Sequence, residues 1–453
     1  MRRAWYLGLC VGIASLGGLL FGFDTAVISG TEQAIQRLYG LSELEIGFTV
    51  ASALVGTIIG SLTAGWPADW WGRRATLILI AILYLISAVG SALAWDWYSL
   101  VFFRFLGGLG VGGSSVVAPM YIAEISPPRW RGRLVAVVQF NIVFGILLAF
   151  FSNYWIALLN LGPSEWRWML GVEAFPAALF WLLLYLTPQS PRWLVLHGKH
   201  DQAEAVFRRL GCLPEEATQL VAEIERSRHT AAPEEPLFCR KYSRLVLLAI
   251  AIAAFNQLSG INAVLYYAPR IFEMAGAGKD AAFFQAVVLG GTNLVFTILA
   301  MSVIDFFGRR FLMLVGSVGY IVSLATTAGA FYIYGSQFDQ LGNSIVLASL
   351  VVFIAAHAFG QGAVIWVFIS EIFPNTVRAK GQALGSFTHW FMCALISWTF
   401  PAIAKVSGGH AFAFYAAMMV LQLLWVIYIM PETKGIPLEK IEEKLLSPAG
   451  TVG

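Results

Sequence analysis

One feature constrains this chain more than any other: apolar runs recur along its whole length. Each is close to the roughly 20 residues that a helix needs to cross the hydrocarbon core of a bilayer. Twelve spans are expected. Six lie at 5–29, 44–67, 75–95, 99–123, 132–158 and 168–187. Six more lie at 243–274, 282–304, 311–334, 345–371, 381–402 and 410–430. Met1-Arg2-Arg3 before the first run imitates a signal peptide. No clear small-residue cleavage site follows it, so the run reads as an uncleaved first span. Composition agrees, with 58% hydrophobic and 12% charged residues in a chain of 453. A soluble domain carries about 25% charged residues. There is too little polar surface to coat a water-soluble globule. The expected fold is an all-α membrane protein.

Net charge is +3. No basic run is long enough to suggest a nucleic-acid partner. Cys10, Cys212, Cys239 and Cys393 form no CxxC pair, and the six histidines are scattered. Neither a metal site, a cofactor nor a disulfide framework is expected. No Walker motif or H-E-x-x-H cluster appears, which argues against an ATP-driven pump or an enzyme. Arg37, Arg167, Arg270, Lys279 and Lys405 fall on one side of the spans and Arg104 within one. Every other Lys and Arg falls on the side of the termini. The positive-inside rule then expects both termini in the cytoplasm.

The only long polar stretch is 188–242. Its Ala203, Val206, Phe207 and Leu210 share one helical face, with Glu204, Arg208 and Arg209 outside it. That predicts short amphipathic helices. The expected organisation is therefore a six-helix half over 1–187, a cytoplasmic linker over 188–242, a second six-helix half over 243–430 and a tail over 431–453.

The chain also repeats itself. Asp69-Trp70-Trp71-Gly72-Arg73-Arg74 follows the second span, and Asp305-Phe306-Phe307-Gly308-Arg309-Arg310 follows the eighth. Glu124-Ile125-Ser126-Pro127 with Arg131 follows the fourth span, and Glu371-Ile372-Phe373-Pro374 with Arg378 follows the tenth. The offsets are 236 and 247 residues. Two motifs in register at nearly one period point to duplicated halves, the architecture of a secondary transporter.

With these motifs the chain resembles the sugar porter family of the major facilitator superfamily. It is similar to bacterial sugar:proton symporters and to animal facilitative glucose carriers. The markers are Gly17-Gly18-Leu19-Leu20-Phe21-Gly22-Phe23-Asp24, the two D-x-x-G-R-R loops, Arg104, Gln257-Leu258-Ser259-Gly260-Ile261-Asn262 and Pro431-Glu432-Thr433-Lys434-Gly435. The last two are the more specific. Three departures stand out. Trp70 replaces a usual Arg, Gln189 replaces a usual Glu, and Gly362-Ala363 replaces a common Gly-Pro. The first two fall in the charged motif region, and the third is expected to alter how span 10 bends.

Asp24 sits well inside an apolar span, where an ionisable group is expensive and therefore read as functional. The resemblance implies that Arg104 lies near it. A deprotonated Asp24 would pair with Arg104, and a protonated one would release it. The plainer alternative is a static buried ion pair. Sugar hydroxyls want paired donors and acceptors, which amides provide, and a pyranose offers an apolar face to aromatic rings. Candidate amides inside spans are Gln139, Asn256, Gln257, Asn262 and Asn293, with Phe21, Trp366 and Trp390 as aromatics. Gln257 and Asn262 flank Gly260, where the helix is expected to loosen, and broken helices are where transporters bind substrate. The resemblance implies sugar contacts for Gln139, Gln257, Asn262, Asn293 and Trp366. Interhelical packing is the alternative for any single amide. Asn256 replaces a common Gln, and His389 stands where an amide is usual, as a sugar contact or a packing residue. Ile146, on the face of Gln139, tilts the expectation towards a hexose. Tyr266 and Tyr267 would belong to an extracellular gate, or simply pack near the interface.

Two charge clusters are expected at the cytoplasmic span ends. One holds Asp69, Arg73, Glu124, Arg131 and Glu173, the other Asp305, Arg309, Glu371 and Arg378. They read as latches, because positive-inside anchoring explains the arginines but not the repeated acids. The expected function is proton-coupled symport of a monosaccharide, a hexose or pentose, by alternating access. The alternatives are a sugar uniporter without proton coupling, a polyol carrier, or a sugar sensor. A sensor is disfavoured by the 23 residues after span 12. The expected partners are the sugar, protons and the lipid bilayer, with the chain a monomer in the bacterial inner membrane.

Overall fold

Among the described residues, twelve helical segments are long and apolar enough to cross a membrane. Spans 1–6 are Trp5–Gly30, Glu43–Trp70, Arg73–Ala92, Trp97–Ile125, Arg131–Leu158 and Gly162–Leu186. Spans 7–12 are Arg240–Tyr266, Lys279–Ile304, Arg309–Tyr334, Gln340–Ile372, Arg378–Val406 and Gly408–Tyr428. The computed structural model describes residues 2–229, 235–335, 337–374 and 376–434. The side chains of 2–4, 227–229 and 305 lie outside the description. All regular structure among the described residues is helical, the economical way to satisfy backbone polar groups away from water.

The chain divides into two units. The first is Met1–Ala34 with Ser52–Ala231, and the second is Ile35–Ala51 with Ala232–Gly453. The first unit takes in three short helices, Pro191–Leu196, His200–Leu210 and Pro214–His229. Ala203, Phe207 and Leu210 are buried, as their shared face predicts. Glu204 and Arg208 pair at 2.9 Å on the exposed side, while Arg209 covers the Tyr6 ring at 4.3 Å.

Small residues decide how the first unit packs. A Cβ on Gly108 or Gly112 would run into the carbonyls of Ala53 and Thr57 in span 2. One on Gly56 or Gly60 would run into the carbonyls of Phe105 and Leu109 in span 4. The glycine-dense stretch of span 4 is thus a contact at backbone distance, where packing replaces the weak hydrophobic drive between helices in lipid.

In the second unit two spans break. Span 7 runs as a helix over Ser243–Leu258 and restarts at Ile261–Tyr266. Gly260 between them is left-handed, at φ +82°. Only glycine adopts this without strain, and a Cβ there would also strike the Tyr415 ring. Span 10 is two helices, Gln340–Phe359 and Gln361–Ile372, joined at Gly360 with ψ −97°. The break falls two residues before Gly362-Ala363. A Cβ on Gly316 of span 9 would lie 3.0 Å from the Gly360 Cα, so the break sits at a close interhelical approach.

Gly112→Leu should cost about 3 kcal/mol or more through overpacking against backbone. Size-exclusion profiles and thermal unfolding in detergent should show loss of the monodisperse folded species. Gly12→Ala, where a Cβ meets nothing within 4 Å, should leave both unchanged.

Candidate functional site

Span 1 carries Asp24 into the interior of the first unit, and span 4 brings Arg104 to it. Arg104 Nη1 donates to Asp24 Oδ1 at 2.6 Å, and Nη2 donates to the Asp24 carbonyl at 3.2 Å. Both side chains are almost wholly buried. Gly107 of span 4 packs beside the pair: a Cβ there would strike Ser87 Oγ and touch Asp24 Oδ1 at 3.4 Å. A third charged residue joins them. Glu173 of span 6 is 2% exposed and lies close enough to Asp24 and Arg104 to interact electrostatically with both. The fully buried Tyr84 lies beside both acids. The Arg104 Nε and Glu173 Oε1 atoms have no hydrogen-bond partner among the described residues.

Gln139 lies on span 5 and is half-buried, while Ile146 on the same span is buried. Spans 1 and 5 meet through Gly18, Gly22 and Gly145, each against a backbone carbonyl of the other span. Phe21 is partly buried in this core.

The second unit gathers amides. Asn262 Nδ2 donates to Gln257 Oε1 at 2.9 Å across the break of span 7. Gln257 Nε2 donates to Asn256 Oδ1 at 2.9 Å and lies 3.3 and 3.4 Å from the two ring nitrogens of His389. The His389 ring sits between Trp366 and Trp390, with centroids 5.0 and 4.8 Å away. Trp366 is 40% exposed while Trp390 is buried. Asn293 on span 8 is buried, with Thr297 donating to its Oδ1 at 3.5 Å. Tyr266 points at Cys393, and the Tyr267 hydroxyl donates to the Ser397 carbonyl at 2.9 Å. A cluster of neutral donors, acceptors and ring faces is what a polyhydroxylated, uncharged molecule requires.

Residues 10–445 match the family described as "Sugar (and other) transporter". The chain belongs to this family. It is a multi-pass membrane transporter. It is 39% identical to the D-xylose-proton symporter of Escherichia coli (strain K12), over 95% of this chain and 94% of that protein. It is 34% identical to the glucose facilitated diffusion protein of Zymomonas mobilis, over 95% and 96%. Among solved structures, the inward open conformation of the xylose transporter XylE from E. coli matches with a TM-score of 0.86 at 37% identity, covering 97% of this chain and 99% of that one. The same protein bound to 6-bromo-6-deoxy-D-glucose matches with a TM-score of 0.77, covering 98% and 100%.

The repeated motifs of this family member take matching shapes in the two halves. Arg73 pairs with Asp69 at 3.0 Å and with Glu124 at 2.9 Å. Glu124 also accepts from the Ser190 hydroxyl at 2.5 Å. Arg309 grips Glu371 with two bonds of 2.8 and 3.2 Å, and Glu371 accepts from Thr433 at 2.7 Å. Asp305's side chain lies outside the described residues. Two arginines behave differently from the expected latches. Arg131 and Arg378 donate from Nε to the carbonyls of Ala123 and Phe373, closing the ends of the preceding spans. Glu173 does not belong to the first cluster at all. Span 6 begins at Gly162, so Glu173 falls near its middle, beside Asp24.

The Gln189 departure has a physical account. Gln189 Oε1 accepts from the backbone N–H of Arg74 at 3.1 Å, capping span 3, and its Nε2 donates to the Trp71 carbonyl at 3.1 Å. In the other half Glu432 caps span 9, accepting from the N–H groups of Arg309 and Arg310, both at 3.0 Å. Both caps satisfy orphan amides at a helix start. Trp70 is 75% exposed, and nothing in the structure explains it.

Sequence reasoning missed Cys393, which accepts from Asn262 Nδ2 at 3.0 Å, and the buried Gln361 and Gln422. The signal for the amides was present, since each is a polar residue inside an apolar span. Glu432→Ala should lower stability by about 1 kcal/mol, the usual worth of a cap. Glu432→Gln, which keeps the acceptor, should lose less than half as much. Thermal unfolding in detergent checks both.

Proposed function

We propose that this transporter is a proton-coupled symporter of a monosaccharide, working by alternating access, with the proton held at Asp24. The observation that carries this reading is the group of Asp24, Arg104 and Glu173. Two carboxyls and one guanidinium lie together, each only 2% exposed. One cation balances one carboxylate, and an unbalanced charge there is costly. A proton supplies the balance. Proton arrival at Asp24 frees Arg104 from its 2.6 Å bond, and that loosens span 1 from span 4. Coupling follows when proton and sugar favour the same conformation of the carrier.

Sugar recognition falls to Gln139 and Phe21 in the first unit, and to Asn256, Gln257, Asn262, Asn293, Trp366, His389 and Trp390 in the second. Tyr266 and Tyr267 serve as the outer gate. The Arg73 and Arg309 clusters act as cytoplasmic latches. The relatives named for D-xylose, arabinose and glucose support a pentose or hexose as substrate. The protein works as a monomer in the inner membrane with both termini in the cytoplasm.

A second reading is sugar uniport, with Asp24 purely structural. The likeness to a glucose facilitated diffusion protein favours it. Uptake of labelled D-xylose, D-glucose and D-galactose into proteoliposomes separates the two. Symport predicts accumulation above equilibrium only with an inward proton gradient. Asp24→Asn should abolish that accumulation while sugar exchange across the membrane persists. Equilibration of sugar regardless of gradient, unchanged in Asp24→Asn, would establish the uniporter.

A further inference from the structure

A chain of hydrogen bonds extends from the amide cluster into the second unit. Asn262 donates to Gln257, and Gln257 donates to Asn256. Asn256 Nδ2 donates to Gln361 Oε1 at 3.3 Å, and Gln361 Nε2 donates to Gln422 Oε1 at 2.6 Å. Gln422 Nε2 then donates to the Ser317 hydroxyl at 2.8 Å. Ser317 gives its own proton to the Met313 carbonyl one turn back, at 2.7 Å. The six side chains come from spans 7, 10, 12 and 9. Gln257, Gln361, Gln422 and Ser317 are completely buried.

Every bond in this chain runs the same way, and the far end sets the direction. The Ser317 hydroxyl has one proton, and it is spent on Met313. Its oxygen can therefore only accept, so Gln422 must present its NH2 group there. That leaves the Gln422 oxygen for Gln361, which must turn its own NH2 towards it. The same requirement passes to Asn256, Gln257 and Asn262. An amide turned by 180° would set donor against donor or acceptor against acceptor, which burial penalises. The break of span 10 makes the link possible, because Gln361 is the first residue after Gly360.

We propose that Gln361, Gln422 and Ser317 are positioning residues for substrate recognition. They touch no sugar, but they fix which atoms of Asn256, Gln257 and Asn262 are left to donate and which to accept. This rests on the sugar-binding reading of those three amides. Sugar selectivity is thereby set in part from spans 9 and 12, far along the chain from the amides themselves.

Ser317→Ala removes the anchor with almost no change in volume. Its KM for the transported sugar should rise about fivefold to tenfold, the loss expected when one buried hydrogen bond is disturbed. Turnover should stay within about twofold, and the ratio of KM values among D-xylose, D-glucose and L-arabinose should change. Ser317→Thr retains the hydroxyl and its bond to the turn below, and should restore both KM and the ratio. Gln361→Leu, which cuts the chain next to the cluster, should shift the ratio further than Ser317→Ala. Thermal unfolding and the amount of folded carrier are measured alongside. Folded Ser317→Ala protein with KM and selectivity unchanged would overturn the proposal. So would a loss confined to turnover or to stability. Wild-type protein that binds none of the three sugars in equilibrium titration would remove the sugar-binding reading and this inference together. An intact wild type with an unaffected Ser317→Ala removes this inference alone.

Discussion

A membrane interior offers no water to a polar group, so each one buried there must find its partner inside the protein. The structure is organised by that demand. Backbone groups meet it by forming helices throughout. Among the side-chain assemblies that meet it, two are set deep within the units. In the first unit the demand is electrostatic, with Arg104 answering Asp24 and Glu173 closing the group. In the second unit it is met by neutral amides and hydroxyls that answer one another in sequence. On the function proposed above, the two solutions suit two cargoes, a proton and an uncharged polyhydroxylated molecule.

The duplicated halves share a scaffold and differ in detail. Gly72 and Gly308 take the same left-handed conformation, at φ +88° and +83°. Each precedes an arginine that reaches an acid at the end of another span. Each following helix start is capped from a distant loop. One half uses Glu432 and the other Gln189, whose Nε2 also donates to the Trp71 carbonyl. Duplication kept the geometry of the cap and let its charge vary.

Much of this could be read from residues alone. The twelve spans follow from apolar runs, because burial in hydrocarbon leaves a long unbroken signal. The loosening of span 7 follows from Gly260, since it lies between Gln257 and Asn262 and glycine alone tolerates the left-handed turn. The pairing of Asp24 with Arg104 came from resemblance, as nothing local links residues 80 apart. Depth within a span was harder. The motifs group Glu173 with the cytoplasmic cluster, whereas its place near the middle of span 6, which runs from Gly162 to Leu186, buries it inside the first unit. The Gly362-Ala363 departure points to the bending of span 10 but not to its place: the break occurs two residues earlier, where Gly360 meets Gly316 of another helix. Gln361 and Gln422 went unnoticed for the same reason: what gives each its meaning is a partner on another span, and single-span periodicity carries no record of it.

The directed chain from Ser317 to Asn262 has one more implication. Its members cannot reverse one at a time, because any single reversal creates a clash of like groups on either side. The six side chains therefore share one collective orientation, as a row of dominoes shares one direction of fall. A substitution at one member changes what its neighbours can tolerate. The side chains at positions 256, 361, 422 and 317 thus behave as one switchable dipole row rather than as four separate polar groups.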